Sequence, residues 1–196
     1  HIREMKIIGT FLLAFWLYED GVATIVRMAA KIASSLGFAA GDIITAILMV
    51  QFIGFPAALL YNWFAKKIGI KNAVLVAIVG YGLITILGYL MTDITHFYVL
   101  AAMIGIFQGG IQSLSRSLFT RLVPKNKEAE FFGFYNMLGK FAAVIGPILV
   151  GWITVLTGNP RAGILSIVVL FVLGGLLFRT VDFKEGERIA LQYGKN

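Results

Sequence analysis

Residues 43–64 read IITAILMVQFIGFPAALLYNWF, an apolar run with no charged side chain, and residues 65–72 read AKKIGIKN, in which lysine recurs. A run of this length matches the roughly 20 residues that a helix needs to cross a hydrocarbon core about 30 Å thick. The basic segment behind it is the kind of loop that stays on the cytoplasmic side of a membrane.

Working outward, the same pattern recurs at 7–32, 73–91, 97–119, 131–157 and 162–178. The spacing predicts an all-α integral membrane protein: a six-transmembrane-helix bundle over residues 1–182, with a cytoplasmic tail over 183–196. Hydrophobic residues make up 59% of the chain and charged residues 14%, which leaves too little polar surface to solvate a globule of this size. The chain has no cysteine, so it has neither a disulfide framework nor a thiolate metal site. Its two histidines, His1 and His96, fall outside the apolar stretches, and no metal centre or cofactor is expected. A net charge of +7 would suit nucleic acid if the basic residues shared one face. They are instead spread over short interhelical loops, so the lipid bilayer is the expected partner and nucleic acid is not.

Those loops set the orientation. Arg3 and Lys6 precede the first stretch; Lys66, Lys67 and Lys71 follow the second; Arg116, Arg121, Lys125 and Lys127 follow the fourth; Arg179, Lys184, Arg188 and Lys195 end the chain. The alternate loops hold no Lys or Arg except Arg161. By the positive-inside rule both termini are cytoplasmic. Arg27 and Lys31, at the outer end of the first helix, are long enough to snorkel. The first stretch is too long for a signal peptide and carries Glu19 and Asp20 in its middle. The chain begins at His1, and a fragment of a longer polypeptide is expected.

Polar groups inside a bilayer are costly, so their positions carry the functional signal. The first stretch holds Glu19 and Asp20, the second Gln51, the fourth Gln108 and Gln112, and the fifth Asn136 and Lys140; the third and sixth hold no such residue. At about 1.5 Å per residue, Asp20, Lys140, Gln51 and Gln108 lie roughly 14 to 20 Å from the ends of their helices, in one layer near the bilayer midplane. A midplane polar layer is where secondary transporters place substrate and coupling ions. The structural alternative is a set of interhelical hydrogen bonds and one buried Lys–carboxylate pair that only hold the bundle together. Gln108, Gln112 and Arg116 form one helical stripe, with Arg116 placed to anchor at the interface. Ser113, Ser115 and Ser117 have no intramembrane histidine and no nucleophile-elbow motif beside them, and no ATP-binding loop occurs, so no enzymatic activity is expected. In the fifth stretch Gly139, Gly146, Pro147 and Gly151 are suited to close helix approach and a bend. Ile53-Gly54-Phe55-Pro56 and Ile145-Gly146-Pro147 echo one another, as they would in two inverted three-helix repeats.

This layout resembles one half, the C-terminal half, of a major facilitator superfamily transporter. The segment 62–71, NWFAKKIGIK, is similar to the superfamily's loop motif at Lys67, Gly69 and Lys71, and departs from it at Asn62, Lys66 and Ile70. Lys66 stands where the motif has the Asp of its conformational salt bridge. The runs LYEDGV at 17–22, QGGIQSLSRS at 108–117, Pro124, EFFGFY at 130–135 and Gly146-Pro147 are similar to bacterial relatives of the Atg-type vacuolar effluxer family, whose fungal members export amino acids from the vacuole. The resemblance implies transmembrane segments seven to twelve, an N-terminal six-helix half as partner, and a small-molecule solute.

The resulting expectation is secondary active transport of a small polar solute, an amino acid among the candidates, by alternating access in a bacterial plasma membrane. Asp20, with Glu19 as the second choice, is the expected proton-linked carboxylate, Lys140 its partner, and Gln51, Gln108, Gln112 and Asn136 line the path. Lys67, Gly69, Lys71 and Arg116 are the expected conformational and loop residues. The rival from another class is a non-transporting six-helix scaffold or regulatory subunit, whose midplane layer would be packed shut.

Overall fold

The computed structural model describes residues 2–194; His1 and Lys195, used above, lie outside the described residues. Six segments are long and apolar enough to cross a membrane. Four are single helices: α1 (Ile2–Ser35), α2 (Ala40–Ile68), α3 (Ile70–Leu90) and α4 (Ile94–Leu122). The fifth span is divided into α5 (Glu128–Lys140) and α6 (Ile145–Thr157), the sixth into α7 (Pro160–Leu165) and α8 (Ile167–Thr180), and α9 (Phe183–Tyr193) follows. The protein is an all-α six-helix membrane bundle.

Local chemistry sets the helix limits. The Asp93 side chain accepts a hydrogen bond from the His96 amide at 3.0 Å and starts α4. Asn159 does the same for Arg161, also at 3.0 Å, with Pro160 in the first turn of α7. Asp182 caps α9 by accepting from the Glu185 amide at 3.1 Å. Each satisfies a donor that a helix start leaves without an intrahelical partner. A single residue, Gly69, joins α2 to α3 with φ of 92°, a left-handed value that side chains resist.

The core is built by close crossings at glycines. Gly174 of α8 lies against Tyr18 and the Ala14 carbonyl of α1, and Gly21 of α1 receives the ring of Phe171. Across the bundle, a Cβ on Gly105 of α4 would stand 3.1 Å from Ile53 Cβ of α2, and one on Gly109 would stand 2.9 Å from Ala58 Cβ. The principal packings include α2 with α4, α1 with α8, α3 with both α4 and α8, and α6 with α7. Pairing α1 with α8 and α4 with α3, with α3 and α8 meeting between them, is the pattern that two inverted three-helix repeats produce. The α2–α4 packing breaks that symmetry, because the matching contact of the fifth span with α1 is far slighter.

An aromatic stack closes the end of the bundle that carries the basic loops. Tyr135 of α5 lies 4.3 Å from Phe15 and 4.8 Å from Phe119 between ring centres, and Phe11 continues the stack to Phe119 at 5.6 Å. Helix α9 folds back here, with Gly186 against Leu122 and Ile7 and Glu185 3.5 Å from Arg3. The tail is therefore a docked helix, a feature that its polar sequence did not suggest.

Two spans stand out from the bundle. Phe52 and Phe55 of α2 are 77% and 75% exposed, and Trp152 and Val155 of α6 are 72% and 83% exposed. Apolar surface of this extent needs lipid or another apolar partner.

Candidate functional site

The polar residues of the first helix divide. Asp20 is fully buried. Its carboxylate accepts the backbone N–H of Ile145 at 2.8 Å through Oδ2 and that of Gly146 at 2.9 Å through Oδ1, and Thr24 donates its hydroxyl to Oδ1 at 3.2 Å. These amides belong to the first turn of α6, one of the two places where a helix begins inside a span. A helix start leaves four amides without intrahelical acceptors. Here Asp20 takes two and Pro147, the third residue, has none to offer. A carboxylate at this end also complements the helix dipole. Asp20 is thus engaged by two backbone amides of α6 and by the Thr24 hydroxyl.

The expected Asp20–Lys140 pair does not form. Lys140 is exposed at the last residue of α5, and among the described residues no ion pair joins it to a carboxylate. The depth that suggested the pairing was counted along 131–140, which α5 covers without a break; depth gives no direction, and Asp20 is taken by the start of α6. The chain breaks at 141–144, with Ala143 at φ of 70°, and the Trp16 indole N–H donates to the Phe141 carbonyl at 3.4 Å. Gly21, next to Asp20, does not loosen α1, which is helical throughout; the glycine is taken up by Phe171 instead.

Glu19 points elsewhere. It lines a cleft of about 300 Å³ with Phe15, Gln112, Ser113, Arg116 and Tyr135, contributed by α1, α4 and α5. Its Oε1 is shielded from solvent and has no hydrogen-bond partner among the described residues. Such a group is costly unless something occupies the space beside it. Across the cleft, Arg116 is exposed, with its guanidinium 5.4 Å from the ring centre of Phe132. Tyr18 and Ser115 share a 2.6 Å hydrogen bond that fixes α1 against α4 beneath the cleft.

The structure therefore brings Glu19, Gln112 and Arg116 together. Gln108 is half-buried on the same helix, while Gln51 and Asn136 are exposed, and these three and Lys140 lie outside the cleft lining. Of the fifth-span glycines only Gly146 is crowded: a Cβ there would meet Thr24 and, at 2.8 Å, Asp20 Oδ1. Gly139 and Gly151 face open space, so the bend lies between them and is made by the break. Tyr135 and Phe15 also wall the cleft; in the sequence Tyr135 figures only within the 130–135 run, and the one signal for Phe15 is its place one turn before Glu19.

In the last turn of α2, Lys67 lies 3.9 Å from the Trp63 ring centre. Lys71 donates to the carbonyls of Arg179 at 2.9 Å and Val181 at 2.8 Å. The segment lacks the motif's Asp at position 66, and Lys71, in the first turn of α3, clamps the end of α8.

A family described as "Vacuole effluxer Atg22 like" matches residues 1–191. The chain belongs to this family. Among curated proteins it is 38% identical over 191 residues to one named "Uncharacterized MFS-type transporter YxiO" from Bacillus subtilis, a match covering 97% of this chain and 45% of the relative. It is 31% identical over 201 residues to "Autophagy-related protein 22" of Yarrowia lipolytica, covering 96% of this chain and 34% of that protein, and 26% identical to the Kluyveromyces lactis protein of the same name, covering 98% and 42%. The family resemblance read from 17–22 and 108–117 is borne out. The chain spans less than half the length of these relatives.

Proposed function

We propose that this chain is the C-terminal six-helix half of a secondary active transporter that moves a small polar solute by alternating access, completed by an N-terminal half. The observation that carries the reading is the cleft, whose lining brings Arg116 and Gln112 together with Glu19, a shielded carboxylate oxygen of which has no hydrogen-bond partner among the described residues. A packed scaffold has no use for such a group. The cleft lining includes a carboxylate, a cation, an amide and hydroxyl groups, and so suits a solute bearing both charges, such as an amino acid. The relatives' names support transport over enzymatic activity.

Glu19 replaces Asp20 as the proposed proton-linked residue, because Asp20 has spent its acceptors on α6. A carboxyl group in a low-dielectric cleft beside a cation is sensitive to what occupies that cleft. Proton uptake and solute occupancy are coupled in this reading.

The test is transport by the full-length protein in proteoliposomes. Glu19→Gln should reduce accumulation driven by a proton gradient at least tenfold while retaining solute exchange; Asp20→Asn should reduce the yield of folded protein instead. Undiminished accumulation in Glu19→Gln would sink the reading. The proposed orientation, with both termini in the cytoplasm of a bacterial plasma membrane, is tested by single cysteines. Those at positions 72 and 125 should resist an impermeant thiol reagent added outside cells, and one at position 95 should label.

A further inference from the structure

A cavity of about 590 Å³, sharing no lining residue with the Glu19 cleft, opens at the basic end among the start of α3, the end of α4, the end of α8 and the start of α9. Its charged lining is Lys71, Arg121, Arg179 and Lys184, set against Asp182 and Glu187. Two of the lining groups are committed within the fold: Lys71 to the carbonyls of Arg179 and Val181, and Asp182 to the cap of α9. Arg121, Arg179 and Lys184 are exposed and make no ion pair among the described residues. Three uncommitted cations thus share one pocket.

That pocket continues into a second one. A groove of about 650 Å³ runs along the α3–α8 seam, and Asn72 and Arg179 line both. Beyond those two residues the groove is wholly apolar, walled by Leu75, Ile78, Leu83, Phe171, Val172 and Leu176 among others. Gly82 and Gly175 form part of its wall, and nothing lies within 4 Å of a Cβ placed on Gly82. From Asn72 to Ile86 the groove extends about 21 Å, more than one leaflet of a core some 30 Å thick. A water-soluble anion would use only the basic end. A molecule with an anionic head and a long apolar chain would use both, with the charge at the bilayer interface and the chain at bilayer depth.

We propose that this composite site holds an anionic glycerophospholipid, its phosphate among Arg121, Arg179 and Lys184 and one acyl chain along the α3–α8 groove. The chemistry is complementary at both ends, and basic pockets between membrane helices are a recognised setting for lipid phosphate. The site is separate from the transport cleft.

The experiment incorporates the full-length protein into vesicles of equal parts phosphatidylglycerol and phosphatidylcholine, extracts it in mild detergent and quantifies retained lipid by native mass spectrometry. Phosphatidylglycerol should be retained in preference to phosphatidylcholine. Arg121→Gln and Arg179→Gln should each weaken that preference about fivefold, and Arg179→Lys should keep it, which separates charge from folding. Gly82→Leu, which fills open groove space, should release the lipid with the basic residues intact. Four outcomes would overturn the proposal: equal retention of the two lipids; an Arg179→Gln variant that retains phosphatidylglycerol as the parent does; a Gly82→Leu variant with undiminished retention; or displacement of the lipid by inorganic phosphate alone, which would mark a site for free phosphate. Coverage of the groove by another part of the full-length chain would produce the first of these.

Discussion

The second and fifth spans carry similar sequences, Ile53-Gly54-Phe55-Pro56 and Ile145-Gly146-Pro147, and fold differently. Helix α2 runs unbroken from Ala40 to Ile68 through Pro56, whereas the fifth span stops at Lys140 and begins again at Ile145. Proline alone does not decide this, since both have one. What differs is the neighbour. Across from Gly54 stands Gly105, whose backbone oxygen is 3.7 Å from a Cβ placed on Gly54; it packs and offers no side-chain acceptor. Across from Gly146 stands Asp20, which accepts the amides a new helix start exposes. In a bilayer, where water cannot take those amides, the fifth-span break is answered by the Asp20 side chain, whereas the sixth-span break, whose α8 start has no side-chain cap, turns on backbone bonds, with the Ser166 N–H donating to the Gly163 carbonyl.

The sharpest way to break this comparison is to remove the acceptor. Asp20→Ala leaves two buried amides unanswered and the α6 start uncapped, at an expected cost of about 3 kcal/mol; Asp20→Asn, with one acceptor oxygen, should cost about 1 kcal/mol. Thermal unfolding of the full-length protein in detergent would show both, and an Asp20→Ala variant as stable as the parent would remove the argument. Next in size is the pair of glycines. Gly146→Ala forces a methyl into Thr24 and Asp20 and should cost about 2 kcal/mol, whereas Gly54→Ala meets only an ordinary contact and should change stability by less than about 0.5 kcal/mol. Equal effects would mean that the two sites are the same after all.

The difference also shows what the sequence could carry. The spans were legible because length and hydropathy are properties of a run, and a bilayer imposes both. The family was legible because 108–117 is specific. The break was not, because 131–157 reads as one run of the right length and only Gly146-Pro147 marks its interruption. The choice between Glu19 and Asp20 was hidden for a related reason. Adjacent residues lie about 100° apart on a helix, and which one meets the cleft depends on the rotation of α1. That rotation is set by Gly21 against Phe171 and Gly174 against Tyr18, contacts between residues some 150 positions apart. The pairing of Lys140 was misread because depth along a helix fixes a height and not a facing, and Lys140 ends α5 exposed while Asp20 is taken by α6.

The smallest expected effect lies at the docked tail, where a carboxylate meets side-chain cations rather than amides. The Glu185 carboxyl is held below the usual carboxylate range, chiefly by the hydrogen bond from Arg188, with the charges of Arg188 and Arg3 adding to it. A depressed value means that the contribution to docking is present above the unfolded group's range and is lost as pH falls through the lowered one. Amide exchange across 186–193, corrected for its intrinsic pH dependence, should be flat near neutrality and rise modestly in acid. Arg188→Ala should shift that rise toward higher pH. The effect is slight because the pair is exposed and screened.

The break at 141–144 has a mechanical consequence. On one side of it, α6 is tied to α1 by two short hydrogen bonds that tolerate almost no sliding. On the other, α5 rests on the rings of Phe15 and Phe119 through Tyr135, and stacked rings can slip past one another at little cost. The fifth span is therefore two levers on one pivot, and the stiffer lever travels with α1. In the alternating-access reading proposed above, any displacement of α1 that widens the space beside Glu19 carries α6 along in full but reaches α5 attenuated, so the two halves of a single membrane crossing follow different paths.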